Sequence, residues 1–264
     1  MVLKLKNIIV LFLKGVAIGG SMSVPGVSGG SIAIIFGIYD SLIKAVAGLF
    51  KYKLKSVALL LTVGLGGLFG VLILSGPISA LLKTNPYETS FFFMGACIGS
   101  LPMLFKKADF KIKFKDFLFV IIGVASVLLL NLLPKLSFGS SIFAIIVIGF
   151  ISSVALILPG VSFSYFLVVF GLYEQFMIAI NQLNFGLLAP FFISLMVGVF
   201  SFSSLLSRLL EKHPKFSFLT IIGFLLGSLT VLFPGLPAVA SILPSLLSFI
   251  AGVYIIYLTS KISS

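Results

Sequence analysis

The chain has 264 residues, 60% of them hydrophobic and 9% charged, with a formal net charge of +12 and a mean hydropathy of +1.30. Soluble domains carry roughly 25% charged residues, so this composition excludes a water-soluble protein and predicts an all-α polytopic membrane protein built from apolar spans of ~20 residues. The single cysteine, Cys97, excludes an internal disulfide framework and a cysteine metal cluster. No cofactor or metal is expected, and the basic residues lie in short loops between apolar runs, which points to membrane orientation rather than nucleic acid.

The N-terminal run begins with Lys4 and Lys6. Lys14 interrupts it and no A-x-A-like site precedes the first motif, so it reads as mature sequence. The first unusual element is the stretch 8–50, broken by Val-Pro-Gly-Val-Ser-Gly-Gly-Ser at 24–31. Lys14 and Lys44 bracket that break and leave arms of about 16–21 Å at 1.5 Å per residue, less than the ~30 Å hydrocarbon core. This predicts a re-entrant helical hairpin with its tip near the midplane; the alternative is two full spans joined at a Pro-Gly kink. Backbone that leaves the helix at such depth must be buried in protein or line a wet cavity. Spans are then predicted at 56–76, 89–105 and 117–134.

A second hairpin is predicted at 140–183, because Pro25-Gly26-Val27-Ser28 recurs there as Pro159-Gly160-Val161-Ser162. Phe36-Gly37-Ile38-Tyr39-Asp40 recurs as Phe170-Gly171-Leu172-Tyr173-Glu174 at the same offset of 134 residues. Pro25 and Pro159 stop helices, and Gly37 and Gly171 are candidate gating positions. Spans at 187–207, 217–233 and 240–260 complete the chain. Gly95-x-x-x-Gly99-Ser100 also recurs, as Gly223-x-x-x-Gly227-Ser228, a small-xxx-small pattern that lets membrane helices approach closely. The predicted organisation is thus one integral membrane domain of two repeats, 1–134 and 135–264, each a Pro-Gly hairpin followed by three transmembrane helices.

Charge sets the relative orientation of the repeats. With the N-terminus cytoplasmic and the first hairpin returning to its own side, fourteen basic residues fall inside, against only Lys83 and Lys135 outside. The C-terminus is then cytoplasmic as well. Three spans separate the hairpins, so the second enters from the opposite face. Two copies in opposite orientation form inverted-topology repeats, an architecture of many secondary transporters.

The tips carry the chemistry. Glycines permit close backbone approach, and Ser28 or Ser31 can cap the helix that begins there. A helix start in a low-dielectric site suits an anion such as phosphate. The candidate phosphate-binding residues are Gly26, Val27, Ser28, Gly29, Gly30 and Ser31 in the first tip, and Gly160, Val161, Ser162 and Ser164 in the second. Serine self-capping without a ligand is the competing reading.

These paired motifs resemble the bacterial PopT-type undecaprenyl-phosphate translocase family, formerly a polytopic family of unknown function, over essentially the whole chain. The resemblance implies a non-enzymatic transporter of the bacterial plasma membrane. It would return undecaprenyl phosphate from the outer to the cytoplasmic leaflet for cell-envelope polymer synthesis, with that lipid and the membrane lipids as its partners. One departure stands out: such proteins usually carry Ser-Gly-Ser in the second copy, where this chain has Ser162-Phe163-Ser164. Phe163 takes the place of a permissive glycine, so the second tip can pack or meet the lipid chain instead of cradling phosphate.

Moving a negative charge inward against an inside-negative potential costs about 2.3 kcal/mol per 100 mV, which calls for a co-transported proton or cation. Asp40 and Glu174, at equivalent repeat positions, are the candidate coupling acids, with an Asp40–Lys44 pair at an interfacial helix end as the alternative. Arg208, the sole arginine, has a planar fork suited to phosphate, set against ordinary snorkelling at a helix end. His213 reads as a loop residue. A transporter or channel for a small soluble anion remains the alternative function. A membrane lipid phosphatase is the weaker one, because one His and one Arg do not supply a nucleophile, a base and a cationic cluster.

Overall fold

The computed structural model describes residues 5–22, 24, 27–49, 53–108, 113–133 and 141–263, and every regular element among them is helical. The elements are α1 (Leu5–Ser21), α2 (Gly29–Ile35), α3 (Tyr39–Ala47), α4 (Lys53–Thr84), α5 (Pro86–Lys107) and α6 (Phe117–Leu132), the last preceded by a 3-10 turn at Phe114–Asp116. They continue with α7 (Ile142–Ile157), α8 (Phe163–Val169), α9 (Tyr173–Asn181), α10 (Phe185–Lys212), α11 (Pro214–Leu232) and α12 (Val239–Ser263). Six helices are long and apolar enough to cross a membrane: α4, α5, α6, α10, α11 and α12. They coincide with the six predicted spans. α4 and α10 run well beyond the expected ends, since a helix satisfies its own backbone and loses nothing by continuing into the interface.

The two broken stretches differ from a plain two-armed hairpin. α1 and α7, at 17 and 16 residues, extend roughly 24–26 Å by helical rise. After the motif each stretch is divided, a seven-residue helix followed by a nine-residue one. The division falls at Gly37 and Gly171, whose φ angles are +69° and +70°. Only glycine adopts that region without strain, so a helix that could have continued is stopped at the same place twice. The starts of α5 and α11 match as closely. Asn85 and His213 precede Pro86 and Pro214 with φ of −134° each and ψ of 62° and 56°, and proline is favoured at the first helical position.

The helices assemble in pairs: α1 on α4, α7 on α10, α5 on α12 and α6 on α11, with α5 also meeting α11. Lipid offers no hydrophobic drive for helix association, so close van der Waals approach has to supply it. Glycine makes that approach possible at every pair. A Cβ on Gly19 would collide with the Gly67 carbonyl, on Gly95 with that of Phe249, on Gly223 with that of Val120, and on Gly198 with the Ser153 hydroxyl. Gly95 and Gly223 therefore perform the packing expected of their repeated pattern, while Cys97 is buried beside Val24 and Ile32 as a packing residue.

Candidate functional site

The two motif loops meet. Ser28 precedes α2 in extended conformation and its hydroxyl accepts from the Ser31 amide at 3.1 Å, the cap foreseen from sequence. The same hydroxyl lies 2.9 Å from that of Ser31. The amide of Gly160, in the second loop, donates to both, at 3.0 Å to Ser28 and 2.9 Å to Ser31. A hydroxyl has two acceptor positions and one proton. Ser28 fills its acceptor positions with two amides and so gives its proton to Ser31. The Ser28 hydroxyl is thereby spent holding the second loop, a role that differs from the phosphate donor expected of it.

Close backbone approach completes this contact. Gly160 has φ +80°, and a Cβ there would strike the Phe224 carbonyl. A Cβ on Gly30 would come within 3.2 Å of the Ile157 carbonyl oxygen and 3.3 Å of Pro159. The Tyr39 hydroxyl donates to the Ile157 carbonyl at 3.0 Å, which ties the start of α3 to the end of α7. Lys14 reaches from α1 to donate to the Phe36 carbonyl at 2.8 Å, where an ammonium suits the negative end of α2.

Beside the joined loops lies a cavity of about 330 Å³ whose wall includes Ser28, Gly29, Gly30, Ser162, Phe163 and Tyr39. Its remaining wall is predominantly aliphatic, and Ser203 of α10 contributes a further hydroxyl. The amides of Gly29 and Gly30 have no acceptor among the described residues, and Ser162 makes no cap hydrogen bond. Phe163 packs edge-on against Phe191 with ring centroids 6.3 Å apart. Gly160, Val161 and Ser162 of the second loop also line a recess of about 20 Å³. Residues of both loops, Phe163 among them, share the wall of the larger cavity.

The remaining predicted residues are distributed as follows. Val27 and Val161 are buried core residues. Pro25 and Gly26 lie outside the described residues, as does the side chain of Ser164. Arg208 stands apart from the loops, in a second cavity with Lys44, Lys55 and Glu211. Asp40 pairs with Lys107 of α5 instead of Lys44, and Lys44 pairs with Glu211 at 3.5 Å. The i,i+4 expectation fails because tertiary packing gives each residue an oppositely charged partner on another helix, Lys107 of α5 for Asp40 and Glu211 of α10 for Lys44. Glu174 is exposed, so the two repeat-related acids have different surroundings. Sequence reading did not single out Tyr39, Lys107 or Ser203 as site residues. Tyr39 alone left a signal, as the tyrosine before each acid.

A family model described as undecaprenyl phosphate translocase-like matches residues 18–247. The chain belongs to the undecaprenyl phosphate translocase-like family. A polyprenyl-phosphate transporter of Staphylococcus aureus is 37% identical over 274 aligned positions, covering 94% of each chain. A polyprenyl-phosphate transporter of Vibrio cholerae is 31% identical over 245 positions, covering 88% of this chain and 79% of the relative. No solved structure matches the chain. Membership in this family, together with six membrane-grade helices, makes the chain a multi-pass membrane transporter rather than an enzyme.

Proposed function

We propose that this protein carries the lipid undecaprenyl phosphate, or a close polyprenyl phosphate, from the outer to the cytoplasmic leaflet of the bacterial plasma membrane, for reuse in cell-envelope polymer synthesis. The observation that carries the reading is the junction of the two loops at the head of a largely apolar cavity. The Gly29 and Gly30 amides, without an acceptor among the described residues, and the Ser162 hydroxyl share one cavity wall with mainly aliphatic side chains. An amphiphile with an anionic head and a hydrocarbon tail matches that polarity. A small soluble anion would leave the aliphatic walls without a partner.

In this reading the Gly29 and Gly30 amides and the Ser162 hydroxyl receive the phosphate, while Ser28 and Ser31 clamp the second loop in place through Gly160. The lengths of α1 and α7 and the divided return arms support re-entrant hairpins, and the lysine distribution supports their entry from opposite faces, with both termini cytoplasmic. The repeats then divide near residue 134.

Coupling to a proton or cation offsets the cost of moving a phosphate against the membrane potential. Asp40 is the better placed coupling group: one carboxylate oxygen faces Lys107, while the other, Oδ1, is buried without a hydrogen bond among the described residues. Glu174 is the exposed counterpart in the second copy.

The deciding experiment is reconstitution in liposomes with labelled undecaprenyl phosphate, following its loss from one leaflet alongside a soluble-anion control. Lipid movement without anion flux is expected; anion flux without lipid movement would overturn the proposal.

A further inference from the structure

A second cavity, of about 730 Å³, lies between α3, α4 and α10 and carries Lys44, Lys55, Arg208 and Glu211 on its wall, with Ser204 and Ser207 between the charges. Three cations face a single carboxylate. The carboxylate is held at the rim by Lys44, and the side chains of that pair are more than half exposed. Neither Arg208 nor Lys55 has an ion-pair partner among the described residues. The net charge of the wall is therefore positive, and it includes the one side chain able to present two parallel donors to a phosphate. A phosphate monoester carries about −1.5 to −2 charge at neutral pH, which complements it.

The walls of this cavity and of the one at the loops include neighbouring residues on the same three helices. Val46, Leu60 and Ser203 face the loop cavity, and Ala47, Leu59 and Ser204 face the basic one. Ser203, in the wall of the loop cavity next to Ser204 in the basic one, is fully buried, and its hydroxyl has no hydrogen-bond partner among the described residues. A buried, unpaired hydroxyl is unfavourable, so its position in a cavity wall calls for a ligand. On α10 the polar positions then continue as Ser203, Ser204, Ser207 and Arg208, spaced so that i and i+4 share a face.

We infer that the basic cavity is a second phosphate-binding station and that Ser203 hands the phosphate between it and the loop cavity. The inference rests on the proposed function for its direction of use, but the station itself is an anion site that can be tested without transport. The shared chemistry is a phosphate group, whether the headgroup of a lipid or free phosphate.

The test uses the purified full-length protein and measures binding of inorganic phosphate and of farnesyl phosphate in parallel with lipid movement in liposomes. Replacing both cations (R208Q with K55Q) is expected to weaken both ligands by about tenfold or more, while thermal stability is unchanged because neither side chain is paired. S203A is expected to keep or raise thermal stability and to slow lipid movement severalfold. A Ser203 that merely fills space would leave movement unchanged, so an unaffected S203A rate overturns the handover. Unchanged phosphate binding in the double variant overturns the station. Inorganic phosphate binding that depends on Arg208 in a protein that moves no lipid would support the station and sink the proposed function, so the two failures are distinguishable.

Discussion

Ser31 and Gly160 are 129 positions apart in the chain and 2.9 Å apart in space, hydroxyl oxygen to amide nitrogen. With Ser28 accepting from the same amide, one N–H from the second loop is held by two side chains from the first. That shared bond joins the two halves of the protein at the head of the cavity.

The sharing predicts non-additive mutants. S28A or S31A alone leaves Gly160 one acceptor and should cost about 1 kcal/mol. The double variant leaves a buried amide with none and should cost more than the sum of the singles. Thermal unfolding of the four proteins in detergent measures this, and strict additivity would mean that the two bonds are independent.

G160A is expected to be far worse than either serine change. The left-handed φ disfavours any side chain by about 1–2 kcal/mol, and the added carbon also strikes the Phe224 carbonyl. The expected outcome is loss of monodisperse protein on size exclusion.

Glycines at helix seams should separate cleanly from glycines that face open space. G19A and G95A should destabilise by about 1–3 kcal/mol through overpacking. G64A and G76A meet nothing within 4 Å and should be neutral or stabilise by up to about 1 kcal/mol, as expected for glycine in a helix. Melting temperatures of the four variants, compared side by side, decide the matter.

For the acids, D40N breaks a partly buried pair with Lys107 and should cost about 1–3 kcal/mol, with recovery when Lys107 is also neutralised as K107Q. E174Q, at an exposed position, should leave stability unchanged. If proton coupling runs through these positions, liposome transport by the variants loses its dependence on an imposed pH gradient. Normal transport by both at every pH removes the coupling proposal.

Tyr39 ties α3 to α7 through the Ile157 carbonyl. Y39F should lower stability by about 1 kcal/mol and slow lipid movement, because it loosens the wall of the cavity without adding or removing bulk. A rate equal to that of the parent protein would show that this tie has no part in transport.

Hydropathy and glycine-proline punctuation are local properties, and they were sufficient for the helical class, the six spans, the interrupted stretches at 8–50 and 140–183 and the capping of α2 by Ser28. Gly37 and Gly171 stood out in the sequence only as repeated candidate gating positions; their left-handed φ came from the structure. What each polar group finally touches depends on packing between segments far apart in the chain, and only the tertiary structure decided it. Asp40 has Lys44 one turn away yet bonds Lys107, since α5 passes on that side of α3. Arg208 stands with Lys44 and Lys55 instead of with the loops, because α10 packs on α3 and places it in the cavity that those lysines line. Ser28, a plausible ligand donor when read alone, turns inward to Gly160, because a buried amide from the second half must have an acceptor and two serines of the first half are what packing puts in its reach.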